Sequence, residues 1–251
     1  MIQKERQEQI LHLLETQKYV TVKYLTRVLH YSTATINRDL NEMQALGLVK
    51  RSHGGAEAVG DNRLPPLLQR QFYMQKEKRR NAFEAAKLIQ DGETVFLDGS
   101  TTVQHIVPFL ADKKDLTVIT NSMHLAMELA KYKMEVICLG GRIVERPHVL
   151  DGEDTVTSAM RYRPDKLFIS VNAVTLSGDV GTSHYLLHKV LLQNCREAYL
   201  LTDSAKIKDH LATVLCDFSA LCGVITDFPF PKETKEKYPH VRFICSAEPT
   251  E

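Results

Sequence analysis

Two sets of residues in this chain have the types and spacing to do chemistry, and both suit a negatively charged partner. The first lies between Ser32 and Ala56. Ser32, Thr33, Thr35, Asn37 and Arg38 fall opposite Ile36, Leu40 and Met43, which recur at helical spacing. Hydroxyl, carboxamide and guanidinium groups on one helix face can hydrogen-bond base edges and phosphates. Lys50, Arg51 and His53 follow, ahead of Gly54-Gly55. That order suggests a basic hairpin whose tight turn calls for positive φ at the glycines. The second set is scattered: Asp98-Gly99-Ser100-Thr101-Thr102, Thr120-Asn121-Ser122, Gly140-Gly141-Arg142, Thr202-Asp203-Ser204-Ala205-Lys206 and Thr226-Asp227. A glycine and hydroxyl loop feeding a helix N-terminus aims backbone N–H groups and the helix dipole at an anion. Arg142 and Lys206 could add formal positive charge. Each turn alone also fits ordinary helix capping; five at one sheet edge point to a small-anion pocket.

The elements that must position the first set can be read directly. A helix is expected over 3–16, with Ile10, Leu11, Leu13 and Leu14 on its apolar face. Thr21 caps a second helix, Val22–Leu29, which buries Val22, Leu25 and Leu29; His30-Tyr31 make a turn. Ser32 caps the third helix and Gly47 ends it, with a short strand at Leu48-Val49. This is a helix-turn-helix followed by a wing. An ordinary three-helix bundle would also have a polar outer face, but would not require a basic hairpin after it.

The second set needs a different scaffold. Short apolar strands are expected at Thr94–Leu97, Leu116–Ile119, Glu135–Leu139, Lys166–Ile169, Glu197–Leu201, Gly223–Ile225 and Val241–Cys245. Helices fall between them, at about 102–111, 122–132, 153–161 and 183–196. Strands of this kind alternating with helices specify a doubly wound, mostly parallel α/β domain, whose ligand crevice lies outside the carboxyl ends of the strands. The division expected is 1–56 for DNA binding, 57–80 as linker, and 81–251 for the α/β domain. Gly60-Asp61-Asn62 and Pro65-Pro66 interrupt the linker. One helix is expected from roughly Leu67 to Ile89, docking Phe83, Ala86, Leu88 and Ile89 on the second domain.

Composition agrees with this division. The 251 residues are 43% hydrophobic and 25% charged, which is ordinary for a globular protein of two domains. No apolar run approaches a membrane span and the N-terminus has no signal-peptide core, so a cytoplasmic protein is expected. The net charge of +1 hides a gradient. Residues 1–56 have eight basic and five acidic side chains, and 57–80 have six and three. A basic front on an acidic remainder suits a polyanion. The five cysteines are odd in number and form no CxxC, so reduced, mostly buried thiols are expected. His184 and His188 have the spacing of metal ligands on a helix, but no third ligand accompanies them, and no metal is expected.

The segment TATINRDLNEMQALGLVKRSHGGA, with LDGSTT, VITNS, LGGRI, DGE, DSAKI and VITD in that order, resembles the DeoR-type bacterial transcription regulators over nearly the whole chain. The resemblance implies a repressor whose second domain is similar in fold to sugar-phosphate isomerases and CoA transferases. It would bind a phosphorylated sugar or related metabolite and need no cofactor. By motif, Ser100, Thr101, Thr102, Asn121, Gly140, Gly141 and Lys206 would line the pocket; Asp98, Asp151 and Asp203 would meet sugar hydroxyls or brace the loops. The sequence departs from the family pattern at Asn37, where a second arginine is usual, at Ser170-Val171-Asn172-Ala173, and at His184–His188. The expected partners are operator DNA and a sugar phosphate, with the chain a homodimer or homotetramer, since symmetric operators need symmetric readers. Two alternatives are a sugar-phosphate isomerase bearing a helix-turn-helix, with Asp98, Asp203 and Lys206 as acid and base, and a constitutive DNA binder whose second domain only dimerises.

Overall fold

Helix α1 (Gln3–Gln17) and helix α2 (Val22–Leu29) flank a three-residue strand, β1 (Tyr19–Thr21), in the computed structural model. The structure describes residues 3–52, 54–58, 70, 73–145 and 149–246. His53, most of the expected linker and its Pro65-Pro66 therefore lie outside the described residues. The chain divides into two compact units, Met1–Tyr73 and Met74–Glu251.

In the first unit α2 and α3 start where their caps dictate. Thr21 Oγ1 accepts from the Tyr24 N–H at 3.0 Å, and Ser32 Oγ accepts from the Thr35 N–H at 3.1 Å. His30 ends α2 in the left-handed conformation at φ 58°. Helix α3 (Thr33–Ala45) ends in a Schellman motif around Gly47, at φ 69°. The Leu48 N–H donates to the Met43 carbonyl and the Gly47 N–H to that of Gln44, at 2.7 and 2.9 Å. Strands β2 (Val49–Ser52) and β3 (Gly55–Ala58) form the hairpin, and β3 also pairs with β1. The expected strand at Leu48-Val49 is thus longer and starts later, and β1 was not anticipated. Of the two hairpin glycines only Gly54 takes positive φ, 71°. Gly55 is needed for another reason: a Cβ there would lie 2.2 Å from the Val20 carbonyl oxygen. Ile10, Leu14, Leu25, Ile36, Leu40 and Met43 are completely or almost completely buried in this unit's core, whereas Leu29 is only half-buried.

The second unit is built on seven parallel strands: β4 (Thr94–Leu97), β5 (Thr117–Thr120), β6 (Glu135–Cys138), β9 (Lys166–Ile169), β12 (Glu197–Thr202), β15 (Gly223–Thr226) and β16 (Arg242–Cys245). Their order is β16-β15-β12-β9-β4-β5-β6. All seven were expected, with ends shifted by a residue or so. Successive side chains face opposite ways, so Phe96 enters one apolar layer while Val95 and Leu97 enter the other. Helices α4 (Gln75–Lys87) and α5 (Met123–Leu129), with the 3₁₀ segment Val103–Leu110, cover the second layer; α6 (Glu153–Ala159) and α7 (Tyr185–Asn194) cover the first. An α-helix had been expected at 102–111, where Pro108 stands inside the 3₁₀ segment. A short helix α8 (Lys232–Lys237) precedes β16. Unexpected were the hairpin β7 (Arg142–Glu145)/β8 (Val149–Asp151) and a small sheet of β10 (Ala173–Thr175), β11 (Asp179–Gly181), β13 (Ile207–Lys208) and β14 (Cys216–Asp217).

Two expectations fail on helix α4. It begins at Gln75 rather than near Leu67, because Met74 has φ 54°, a left-handed residue that a right-handed helix cannot pass through. The helix docks through the small residues Ala82, Ala85 and Ala86, and Ile89 follows; Phe83 lies outside that stripe and is 47% exposed, edge-on to Phe109. The five cysteines are all free, but none is buried: Cys138 and Cys245, on the two edge strands, are exposed, and the rest are half-buried.

Candidate functional site

The outward face of α3 is short-chained and polar. Ser32, Thr33 and Arg38 are exposed and Thr35 is half-exposed, its hydroxyl 2.9 Å from that of Ser32. Asn37 is different: its Nδ2 donates to the Thr33 carbonyl at 3.0 Å, and its Oδ1 accepts from Arg51 Nη2 at 2.8 Å. The carboxamide joins helix to hairpin instead of standing free to read a base. Lys50 points to solvent and lies 3.9 Å from Glu57, its cross-strand partner.

Beneath this face is a pair not foreseen from sequence. Arg6 of α1 forks onto Asp39 of α3; its Nε donates to Oδ2 and its Nη2 to Oδ1 at 2.9 Å, and its guanidinium lies 4.6 Å from the Tyr31 ring centre. Asp39 is fully buried. The hydrogen bond that Arg6 donates to Asp39 raises the Arg6 pKa above its ordinary value, against the effect of burial. Asp39 sits three residues after Ile36 and next to Leu40, so helical phase alone could have placed it inward.

In the second unit all seven strands run the same way, so the loops after them gather at one edge. The strand order reverses direction between β4 and β9, which makes a switch point. Asp98, just after β4, stands there. It is 3% exposed, and its carboxylate accepts from the N–H groups of Ser100 (3.0 Å) and of Ser170, just after β9 (2.8 Å). Nε2 of His188 lies 3.6 Å away. Burial alone would raise the Asp98 carboxyl; His188 and the donors at Ser100 and Ser170 outweigh it and hold it below the usual carboxylate range. The Gly99–Thr102 loop is thus folded over an ionised floor.

Lys206 comes to the same place from the end of β12. Its Nζ donates to Ser170 Oγ at 2.7 Å and to Thr102 Oγ1 at 3.3 Å, and stands 3.7 Å from Asp203 Oδ2. Asp203 is 2% exposed, and its Oδ2 has no hydrogen-bond donor among the described residues. The structure therefore brings together Asp98, Gly99, Ser100, Thr102, Asp203 and Lys206, with Thr101 buried in the same loop. Ser170 and His188 join them without having been picked out as site residues. In the sequence Ser170 and His188 stand out only as parts of departures from the family pattern, and His188 also for its spacing from His184.

Other expected pocket residues serve as braces. Asn121 is buried, with Oδ1 accepting from the Gly99 N–H and Nδ2 donating to the Leu150 carbonyl, both at 3.0 Å. Thr120 is fully buried and its hydroxyl accepts from the Ser122 N–H. The Gly140 carbonyl accepts from Thr155 Oγ1 at 2.8 Å, and a Cβ on Gly141 would come within 1.9 Å of that oxygen. Arg142 is exposed at the start of the β7/β8 hairpin. Asp151, on the return strand, has its Oδ2 2.6 Å from His184 Nδ1. Burial acts to raise its pKa, but His184 and the Gly152 N–H prevail and lower it. His184 and His188 thus each face a carboxylate, and among the described residues no cluster of three or more metal-ligating side chains occurs.

Comparison with known proteins bears on both units. Residues 6–61 match the DeoR-like helix-turn-helix domain, and residues 74–228 match the DeoR C terminal sensor domain. The chain is 29% identical over 228 residues to an uncharacterized HTH-type transcriptional regulator, FruR, of Bacillus subtilis, covering 89% of this chain and 88% of that one. It is also 29% identical over 237 residues to the glycerol-3-phosphate regulon repressor of Escherichia coli (92% and 93%), and over 257 residues to the lactose phosphotransferase system repressor of Lactococcus lactis (99% and 100%). Among solved structures, ribose 5-phosphate isomerase A of Neisseria gonorrhoeae is 16% identical over 53% of this chain and 54% of that one, with a TM-score of 0.40, too distant to bear on function. A capped helix-turn-helix with a wing, joined in one chain to a parallel-sheet sensor domain, is a DNA-binding transcriptional regulator, and this chain belongs to the DeoR family.

Proposed function

We propose that the chain is a homo-oligomeric, cytoplasmic repressor of a carbohydrate-metabolism operon, controlled by a phosphorylated sugar at the β4/β9 switch point. The observation that carries this is the Lys206 ammonium resting on Thr102 and Ser170, directly over the loop anchored by Asp98. A phosphate entering there meets a fixed cation, the Ser100, Thr101 and Thr102 hydroxyls and the N–H groups of the loop. Asp203, with one oxygen lacking a donor among the described residues, accepts a sugar hydroxyl. Asp151, Gly140, Gly141 and Arg142 border the crevice from the hairpin side, while Thr120 and Asn121 hold its floor. The names of two relatives, repressors of a glycerol-3-phosphate regulon and of a lactose phosphotransferase system, support this ligand class.

On the DNA side, Thr33, Thr35 and Arg38 enter the major groove, with Ser32 at the leading end of α3. Lys50, Arg51 and His53 engage the backbone or an adjacent groove from the wing. The effector acts by binding the DNA-competent and DNA-incompetent arrangements unequally. It is sensed without being converted: the relatives that match over most of their length are named as regulators.

Calorimetry with a panel of sugar phosphates, on protein free and bound to a duplex selected from a random library, tests this. At least one compound should bind with different affinity in the two states, and Lys206→Ala should weaken that binding by about 1.5–3 kcal/mol. Equal affinities for every binder would overturn effector control. NMR of the same mixtures should show no isomerised product.

A further inference from the structure

We infer that Asn37 is a positioning residue, and that Arg51 of the wing is the DNA-contacting group it positions. This rests on the assignment of α3 and the hairpin to DNA binding.

To read an adenine, an asparagine must turn both its oxygen and its nitrogen outward. In Asn37 both atoms are already engaged within the protein. Its Nδ2 is held by the Thr33 carbonyl, one helical turn back, and its Oδ1 by Arg51. The two bonds fix the carboxamide plane, and the plane fixes the guanidinium.

The hairpin explains why Arg51 is the cation so held. Side chains alternate along β2, and Lys50 faces solvent opposite Glu57, which partly neutralises it. Arg51 faces the other way, toward α3, opposite the buried Ala56. Its Nη2 donates to Asn37, while its Nη1 is buried with no acceptor among the described residues. An unmet donor on a charged group is costly in the free protein. The pose therefore persists because Asn37 imposes it, and a phosphate or base-edge oxygen brought to the seam between α3 and the wing meets the part of this half-buried side chain that remains exposed. The guanidinium is already oriented, so less side-chain freedom is lost on binding.

The test uses the full-length chain and a duplex selected by the wild-type protein from a random library, with affinities measured across a salt series. Arg51→Ala should weaken binding about tenfold or more and reduce the salt slope by about one. Asn37→Ala should reproduce most of the affinity loss, and the double variant should bind no worse than Arg51→Ala alone. Arg51→Lys keeps the charge but not the fork; it should retain the salt slope and still bind several-fold more weakly. Multiplying losses in the double variant would overturn the inference. So would an Asn37→Ala protein whose base preference changes at a position that Arg51→Ala leaves alone, or wild-type affinity in Arg51→Lys. If the wild-type chain selects no duplex at all, it is the assignment of the DNA-binding face that fails, and the inference falls with it.

Discussion

The two units solve the problem of meeting an anion in opposite ways. On α3 the polar groups stand outward on a helix whose buried side is conventional, and most of what orients them is local: a cap at Ser32, a Schellman stop at Gly47, the phase of one helix. In the strand-end crevice the polar groups are buried, come from distant strands and hold one another. Asp98 is fixed by Ser170, 72 positions away in sequence, and Lys206 reaches Thr102 across 104. A surface reader can be changed residue by residue. A crevice of this kind is a network in which each member is another's partner.

Asp39 is the exception within the first unit, being a buried charge held from another helix, and its loss should have the largest effect. Asp39→Ala leaves Arg6 uncompensated and should destabilise the first unit by about 3–5 kcal/mol. Urea unfolding followed by circular dichroism will show this as an early transition separate from the sensor unit's. Next is Lys206→Ala. It removes a charge-assisted donor and should cost about 1.5–3 kcal/mol of phosphate-ester affinity, measured by calorimetry, with operator binding intact in the absence of ligand. Loss of operator binding as well would blur the contrast between the units.

Arg38→Ala tests the surface side. It should cost about 1–3 kcal/mol of DNA affinity in gel-shift titration and leave the melting temperature unchanged. Ser32→Ala removes only the cap of α3 and should cost about 1 kcal/mol of stability. The smallest effect is that of pH. Asp98 and Asp151 have folded-state pKa values below their unfolded ones, so the unfolded chain binds more protons through the acid range. Their contribution is complete above the unfolded carboxylate pKa, near 4, and is lost as pH falls below it through the folded values. The sensor unit should melt earlier by about 2–4 °C per kcal/mol lost, and Asp151→Asn should flatten that dependence.

The same contrast decides what could be read from sequence. Ser32, Thr21 and Gly47 act over three or four residues, and each was legible from residue type and spacing alone. The seven parallel strands were legible because burial on both faces leaves continuous apolar runs. The edge at which Asp98 and Lys206 gather follows from parallel topology, so their meeting was legible in outline. What closes the crevice was not. The Asp98–His188 and Asp151–His184 contacts join residues from separate elements, and no local pattern records them. Asn37 shows the same limit: its type suggests a base reader, and only the return of the wing brings in the arginine that its oxygen bonds. Helix α4 began late because a methionine took a conformation that its type disfavours.

The turn of the wing has one further consequence. Ser52 pairs with Gly55, so two residues connect the strands, and connection length sets which residues face each other along the whole ribbon. A third residue inserted there would shift the partners of β2 by one, sending the Arg51 side chain to solvent and the Lys50 side chain against α3. The wing should therefore accept changes of letter at Lys50 and Glu57 more readily than at Arg51, Gly54, Gly55 or Ala56, and changes of spacing hardly at all.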